Sequence, residues 1–399
     1  MTAQGVSLEK RCESLSLVQR GFPTSTIVSG TEEDEDKGYQ HGLRCLELTG
    51  TIFEKDVLPR LFRRLPLLQE LTLARGWSRF DHNAWVTLSQ HCRHLKALQI
   101  CGYSHYHVEF EDFDNLGILA MFPELEVLRV VEFPRRQIEL TAFESTLVKF
   151  EQQHQRSHPL KALCIAGHFH DKLIKLLDIL SSKSLKRLES LKIGPAYDSS
   201  VFRERPSMPE TSASGLSHDF TRSWESVART LLRLDLYGIV FPDKVVMERF
   251  WERLQGLERL RVLRVSVHHI QDLFATNTSS RLSSTMTTAT AGTETEGTSL
   301  DGKKQPMALP IVDYRFPSIH TFMAARRWIC APSGQGSNPT VQDTLSLDQV
   351  LFLLAMTPSL KNLLLTYWCV EKEIAAVIRS EFRNVFVDTR QEEFLPWFS

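Results

Sequence analysis

The sequence predicts an α/β repeat solenoid in which parallel strands line one surface and helices lie outside. Three observations predict it. An apolar pattern L-x-x-L-x-L, tolerating Ile, Val or Phe, recurs along the chain. Its second and third apolar positions alternate with polar residues, as a strand with one buried face requires. Between these segments apolar residues recur at intervals of three and four, which is the period of an amphipathic helix.

In chain order the pattern reads Leu43-Leu46-Leu48, Leu68-Leu71-Leu73, Leu95-Leu98-Ile100, Leu125-Leu128-Val130, Leu160-Leu163-Ile165, Leu188-Leu191-Ile193, Leu231-Leu234-Leu236 and Leu260-Leu263-Val265. A weak Ile319-Phe322-Ala324 follows, then Leu360-Leu363-Leu365 and Phe382-Val385-Val387. First positions lie 25, 27, 30, 35 and 28 residues apart before longer intervals interrupt them, so the regular spacing is that of a leucine-rich repeat or just above it. About eleven units occupy residues 43–390. One unit cannot bury its apolar face alone, whereas stacked units share a continuous core, so a horseshoe with a concave parallel sheet is expected.

The helical segments are Trp85-Leu88-Cys92-Leu95, Leu173-Leu176-Leu177-Leu180 and Val246-Phe250-Leu254-Leu257. Pro66, Pro123, Pro317 and Pro358 each stand two residues before a first strand position, where proline ends a helix and favours extended backbone. Residues 1–42 hold an acidic loop, Glu32–Asp36, and a degraded unit at Cys12-Leu15-Leu17. Insertions low in aliphatics and rich in Ser, Thr, Gly or Pro are expected at 195–222, 276–305 and 331–344; the middle one cannot offset its ordering entropy and reads as disordered. Residues 391–399, with Phe394, Leu395, Trp397 and Phe398, read as a C-terminal cap.

Lys and Arg total 47 against 48 Asp and Glu, so no global field draws the chain to nucleic acid or to an anionic membrane. The longest aliphatic run, Val350–Met356, is far shorter than a membrane span. Seven scattered cysteines without a C-x-x-C suit reduced thiols, hence a cytoplasmic or nuclear protein whose sequon at Asn277-Thr278-Ser279 carries no glycan.

No catalytic signature is visible, and no cofactor is expected. Gly297 to Lys304 nearly matches a phosphate loop, but Lys304 replaces the metal-binding hydroxyl and no strand leads in. His91, Cys92, His94, Cys101, His105 and His107 lack paired-ligand spacing, and neither they nor His168, His170, His268 and His269 read as a metal site. Cys92 reads instead as structural.

The stretch Cys92-Arg93-His94-Leu95-Lys96-Ala97-Leu98-Gln99-Ile100-Cys101 looks like a cysteine-containing leucine-rich repeat. Together with the proline-led units, it resembles the F-box/leucine-rich-repeat proteins, particularly the large fungal sets. That resemblance implies a non-catalytic module whose repeats hold a substrate while an F-box docks onto a cullin ubiquitin-ligase adaptor. Residues 1–42 have no L-P-x-E-[IL]-like start, so the chain is expected to be either a relative without an F-box or one whose F-box lies upstream. A free-standing interaction scaffold is the alternative, and a GTPase-activating leucine-rich-repeat protein a further one.

Residues between the apolar strand positions should line the concave face. Glu47 and Glu70 lie near its first end, whereas Arg129, Lys192, Arg233 and Arg264, with Asp235 and the following Tyr237, form a basic central stripe. An acidic or phosphorylated protein segment is the expected partner. Charge reversal of Arg233 and Arg264 is expected to weaken binding without lowering the melting temperature.

Overall fold

The computed structural model describes residues 14–18, 42–49, 56–74, 82–101, 117–131, 143–166, 172–194, 222–236, 239, 241, 243–285, 309–325, 344–366 and 370–388. It is an α/β structure in two compact units, Met1–Leu231 and Leu232–Ser399.

In the first unit the strands are β1 (Ser14–Val18), β2 (Cys45–Thr49), β3 (Glu70–Ala74), β4 (Ala97–Cys101), β5 (Val127–Val131), β6 (Ala162–Ala166) and β7 (Ser190–Gly194). Each pairs with the next in parallel. Parallel neighbours need a crossover, and from β2 to β7 α1 (Val57–Arg63), α2 (His82–His91), α3 (Gly117–Met121), α4 (Phe143–His154) and α5 (Lys172–Ser181) supply it. A short α6 (Glu225–Ala228) follows β7.

The register reproduces the sequence pattern residue for residue. Leu46, Leu71, Leu98, Leu128, Leu163 and Leu191 face one another across successive strands, as do Leu48, Leu73, Ile100, Val130, Ile165 and Ile193. All are buried. A slip by one residue would turn both rows out of the core, which is why the pattern is so strict. Leu15 and Leu17 of β1 continue the two rows opposite Leu46 and Leu48, so the segment read as a degraded unit pairs as a full strand.

The second unit repeats the plan with β8 (Arg233–Asp235), α7 (Lys244–Gln255), β9 (Val262–Ser266), α8 (Val267–Thr285), β10 (Thr321–Ala325), α9 (Leu347–Met356), β11 (Asn362–Thr366), α10 (Lys372–Glu381) and β12 (Phe386–Asp388). Its strands also pair in sequence and in parallel. The weak unit is complete: Ile319, Phe322 and Ala324 are at most 1% exposed, and Phe322 faces Leu263 and Leu363. Asp243 caps α7 by accepting the Val246 N–H at 2.8 Å, and Ser346 and Gln349 form a reciprocal capping box on α9.

One turn recurs before the strands. Leu68 donates to Leu65, Leu125 to Phe122, Ile319 to Phe316 and Leu360 to Thr357, each backbone bond closing a four-residue turn with proline second. Proline's fixed φ suits that position. The turn Cys92–Leu95 has the same closure without proline. There the Cys92 thiol is buried and donates to the carbonyl of Leu65 at 3.3 Å, and its pKa is pushed up to about 12 by burial. A thiol so held remains protonated and joins two repeats.

Two sequence expectations change. Val387 faces Leu363 and so takes the second apolar position, not the third, because the turn closed by Val385 on Phe382 runs straight into β12 with one residue fewer than elsewhere. The insertion expected from Thr276 begins later, since α8 continues through Thr285. Buried Asn277 anchors it: Oδ1 accepts the Asp313 N–H at 3.1 Å and Nδ2 donates to the Ile311 carbonyl at 3.5 Å, so the sequon asparagine is a clamp. The expected insertion residues 195–221 and 331–343, the phosphate-loop lookalike and residues 391–399 lie outside the described residues.

Among the described residues no helix is long and apolar enough to cross a membrane.

Candidate protein-binding face

Strand alternation that sends Leu46 and Leu48 into the core puts Cys45 and Glu47 on the opposite face, and the register carries that rule along each unit. In the first unit one row reads Glu47, Thr72, Gln99, Arg129, Cys164 and Lys192. Glu47 is exposed, as is Glu70 in the adjacent row. Further along, Arg129 is half-buried and its Nη1 donates to Gln99 Oε1 at 3.4 Å. Lys192 is only 5% exposed, and its neighbours Cys164 and Ser190 are buried too.

In the second unit the two rows are Arg233, Val262, Thr321, Asn362 and Phe386, and Asp235, Arg264, Met323, Leu364 and Asp388. Arg233 is exposed, and Phe386 retains 56% of its surface. Asn362 Nδ2 donates to Thr321 Oγ1 at 3.2 Å, tying β11 to β10 on this face.

Asp235 and Arg264 stand directly opposite each other on β8 and β9. They form an ion pair, Nη1 to Oδ2 at 3.4 Å, with side chains 0% and 8% exposed respectively. Strand alternation alone puts both on an open stripe; the register makes them each other's partner. Of the six residues assigned to the stripe, Arg233 is exposed, Arg129 half-exposed, and Lys192, Asp235 and Arg264 are enclosed. Tyr237 lies outside the described residues. Among these residues Arg129 in the first unit and Arg233 in the second keep accessible surface.

Two buried histidines hold repeats together. His158 Nε2 donates to the Leu119 carbonyl at 3.0 Å, while its Nδ1 accepts the Leu160 N–H at 3.2 Å. That arrangement fits the neutral ring, and burial, outweighing carbonyl bonds to Leu119 and Phe122, lowers the pKa to about 4. The chain reaches this site after Gln155, whose φ of 52° reverses it beyond α4. His158 went unnoticed in the sequence because no periodic position marks it. His269 acts similarly: Nε2 donates to the Ile239 carbonyl at 2.9 Å and the ring lies tilted against Phe241.

The His158 geometry has a pH consequence. Its unfolded-state value is near 6.5 and its folded value about 4, so between them only the unfolded chain takes up the proton. Stability should therefore be unaffected by this group above pH 6.5 and fall as pH drops toward 4, with a slope approaching ~1.4 kcal/mol per pH unit. Urea titrations from pH 7 to pH 4 on the protein and on His158→Gln check this: the variant should lose that share of the slope. Identical slopes would contradict a neutral, buried ring.

Among the described residues no three His, Cys, Asp or Glu side chains converge as metal ligands. The rows offer carboxylates, cations, amides and a few apolar groups, which can form hydrogen bonds and charge pairs. Comparison with protein-family models finds no match, and comparison with curated proteins finds none either.

Proposed function

We propose that this chain is a leucine-rich-repeat solenoid that binds another protein without catalysing a reaction. The observation that carries the reading is the unbroken parallel register within each unit. It commits alternate strand residues to the core and leaves the exposed members of the intervening rows, Glu47, Glu70, Arg233 and Phe386 among them, for recognition. Rigid strands presenting varied side chains at fixed spacing suit an extended segment of a partner, with little ordering entropy spent by the receptor.

The specific role proposed is substrate recognition for a cullin-type ubiquitin ligase, supported by the resemblance of the irregular units to F-box/leucine-rich-repeat proteins. Affinity purification of the full-length protein from its native cells, read by mass spectrometry, tests it. Co-purification of the cullin and its F-box-reading adaptor is the expected result. Their absence beside another reproducible partner would replace that role with a free-standing scaffold, and failure to enrich any protein would count against protein recognition itself.

A further inference from the structure

Resting on the protein-binding reading, we propose that the N-terminal edge of the second unit's strands binds a phosphorylated segment of the partner, with Arg261 and Lys361 as its principal cations and His320 between them. The residue preceding each strand is in register too, because its carbonyl accepts backbone N–H groups from the next unit. Leu232 O accepts from Arg261 and Val262, Arg261 O from His320 and Thr321, His320 O from Lys361 and Asn362, and Lys361 O from Phe386. Arg261, His320 and Lys361 are therefore consecutive along one edge at the spacing of neighbouring strands, about 4.8 Å.

The equivalent row of the first unit reads Arg44, Gln69, Lys96, Glu126, Lys161 and Glu189, and there Lys161 Nζ meets Glu126 Oε2 at 2.6 Å. Alternation lets that row neutralise itself. In the second unit the three successive basic residues have no acidic residue between them in the row, Arg261 and Lys361 being exposed and His320 half-buried.

The Ser318 carbonyl gathers two of them. It accepts from Arg261 Nη1 at 3.1 Å and from His320 Nδ1 at 2.8 Å, with the two nitrogens 3.3 Å apart. A neutral acceptor fixes both groups without offsetting the guanidinium charge. The approaches to these strands carry exposed Arg259, Arg315 and Arg383 and exposed Glu258, Asp313 and Glu381, so the surplus positive charge rests on Arg261 and Lys361. A phosphoryl group, carrying close to two negative charges on three acceptor oxygens, can be reached by both long side chains from strand starts two spacings, about 9.6 Å, apart, whereas a carboxylate brings a single charge.

The test uses the full-length protein, immobilised, and a degenerate peptide library built around a fixed phosphoserine, with matched libraries carrying serine or glutamate there. Preferential retention of the phosphoserine library is expected. Arg261→Glu with Lys361→Glu should reduce it by about tenfold or more. Lys183→Glu with Lys186→Glu, the same charge change at exposed positions of the first unit, should leave it largely intact. Arg261→Gln with Lys361→Gln supplies a milder variant should the reversal disturb folding, and circular dichroism checks each variant.

Equal retention of the serine library, indifference to the edge substitutions, equal loss in the first-unit control, or no retention of any library would each overturn the proposal. So would stronger retention of an RNA homopolymer or of anionic phospholipid vesicles. In all of these cases a partner recovered by affinity purification would leave the protein-recognition reading standing.

Discussion

Phe322→Ala should destabilise the second unit by roughly 3–5 kcal/mol, the range for emptying a fully buried aromatic site. Phe322 is 1% exposed and sits in register between Leu263 and Leu363, so both neighbouring repeats lose a packing surface when its ring is removed. Flanking Leu263 and Leu363 have no freedom to close the gap without shifting β9 and β11, because the strands are held by shared carbonyls at their starts. Urea denaturation followed by circular dichroism measures the loss. A cost below about 1 kcal/mol, as for a solvated surface position, would mean that the weakest unit is not a working repeat.

The second large effect separates two arginines that look equivalent in the sequence. Arg264→Glu should cost roughly 3–5 kcal/mol, since it removes the cation facing buried Asp235 and puts a second carboxylate against it. Arg233→Glu, on the adjacent strand but exposed, should stay within about 0.5 kcal/mol. The expectation that reversing both would spare the melting temperature is therefore kept for Arg233 alone. Replacing the pair together, Asp235→Leu with Arg264→Met, should recover much of the loss, because a buried ion pair spends most of its attraction on desolvation. Thermal melts of the three variants decide the matter, and equal melting temperatures for both single reversals would show that Arg264 is solvated.

Much of the architecture is legible because burial in a parallel repeat imposes period two and a constant register at once. Each L-x-x-L-x-L segment from Leu43 to Leu365 corresponds to a strand with its second and third leucine positions in the core. The last unit departs because sequence spacing alone cannot distinguish Phe382-Val385-Val387 from a strand reached one residue early, and the shortened turn is visible only through the bond from Val385 to Phe382. The extension of α8 through Thr285 was hidden by its Ser and Thr content, which lowers helix propensity without forbidding a helix that continues directly from β9. The structural roles of His158 and Asn277 are hidden locally for a related reason: each bonds backbone groups more than thirty residues away.

The candidate face divides along the same line. From sequence, Arg129, Lys192, Arg233, Asp235 and Arg264 could be assigned to one side of their strands, because alternation along a strand is a local property of the backbone. Their accessibility could not, because it depends on what the register sets opposite each of them. Pairing across β8 and β9 turned Asp235 and Arg264 inward to each other, while Arg261, His320 and Lys361 became neighbours only when carbonyls separated by dozens of residues were brought to one edge. The amino-acid order by itself determined which residues form the strands and which face enters the core; tertiary structure decided which charges are spent within the protein and which face outward, since electrostatic interaction depends on distances and burial that no single repeat contains.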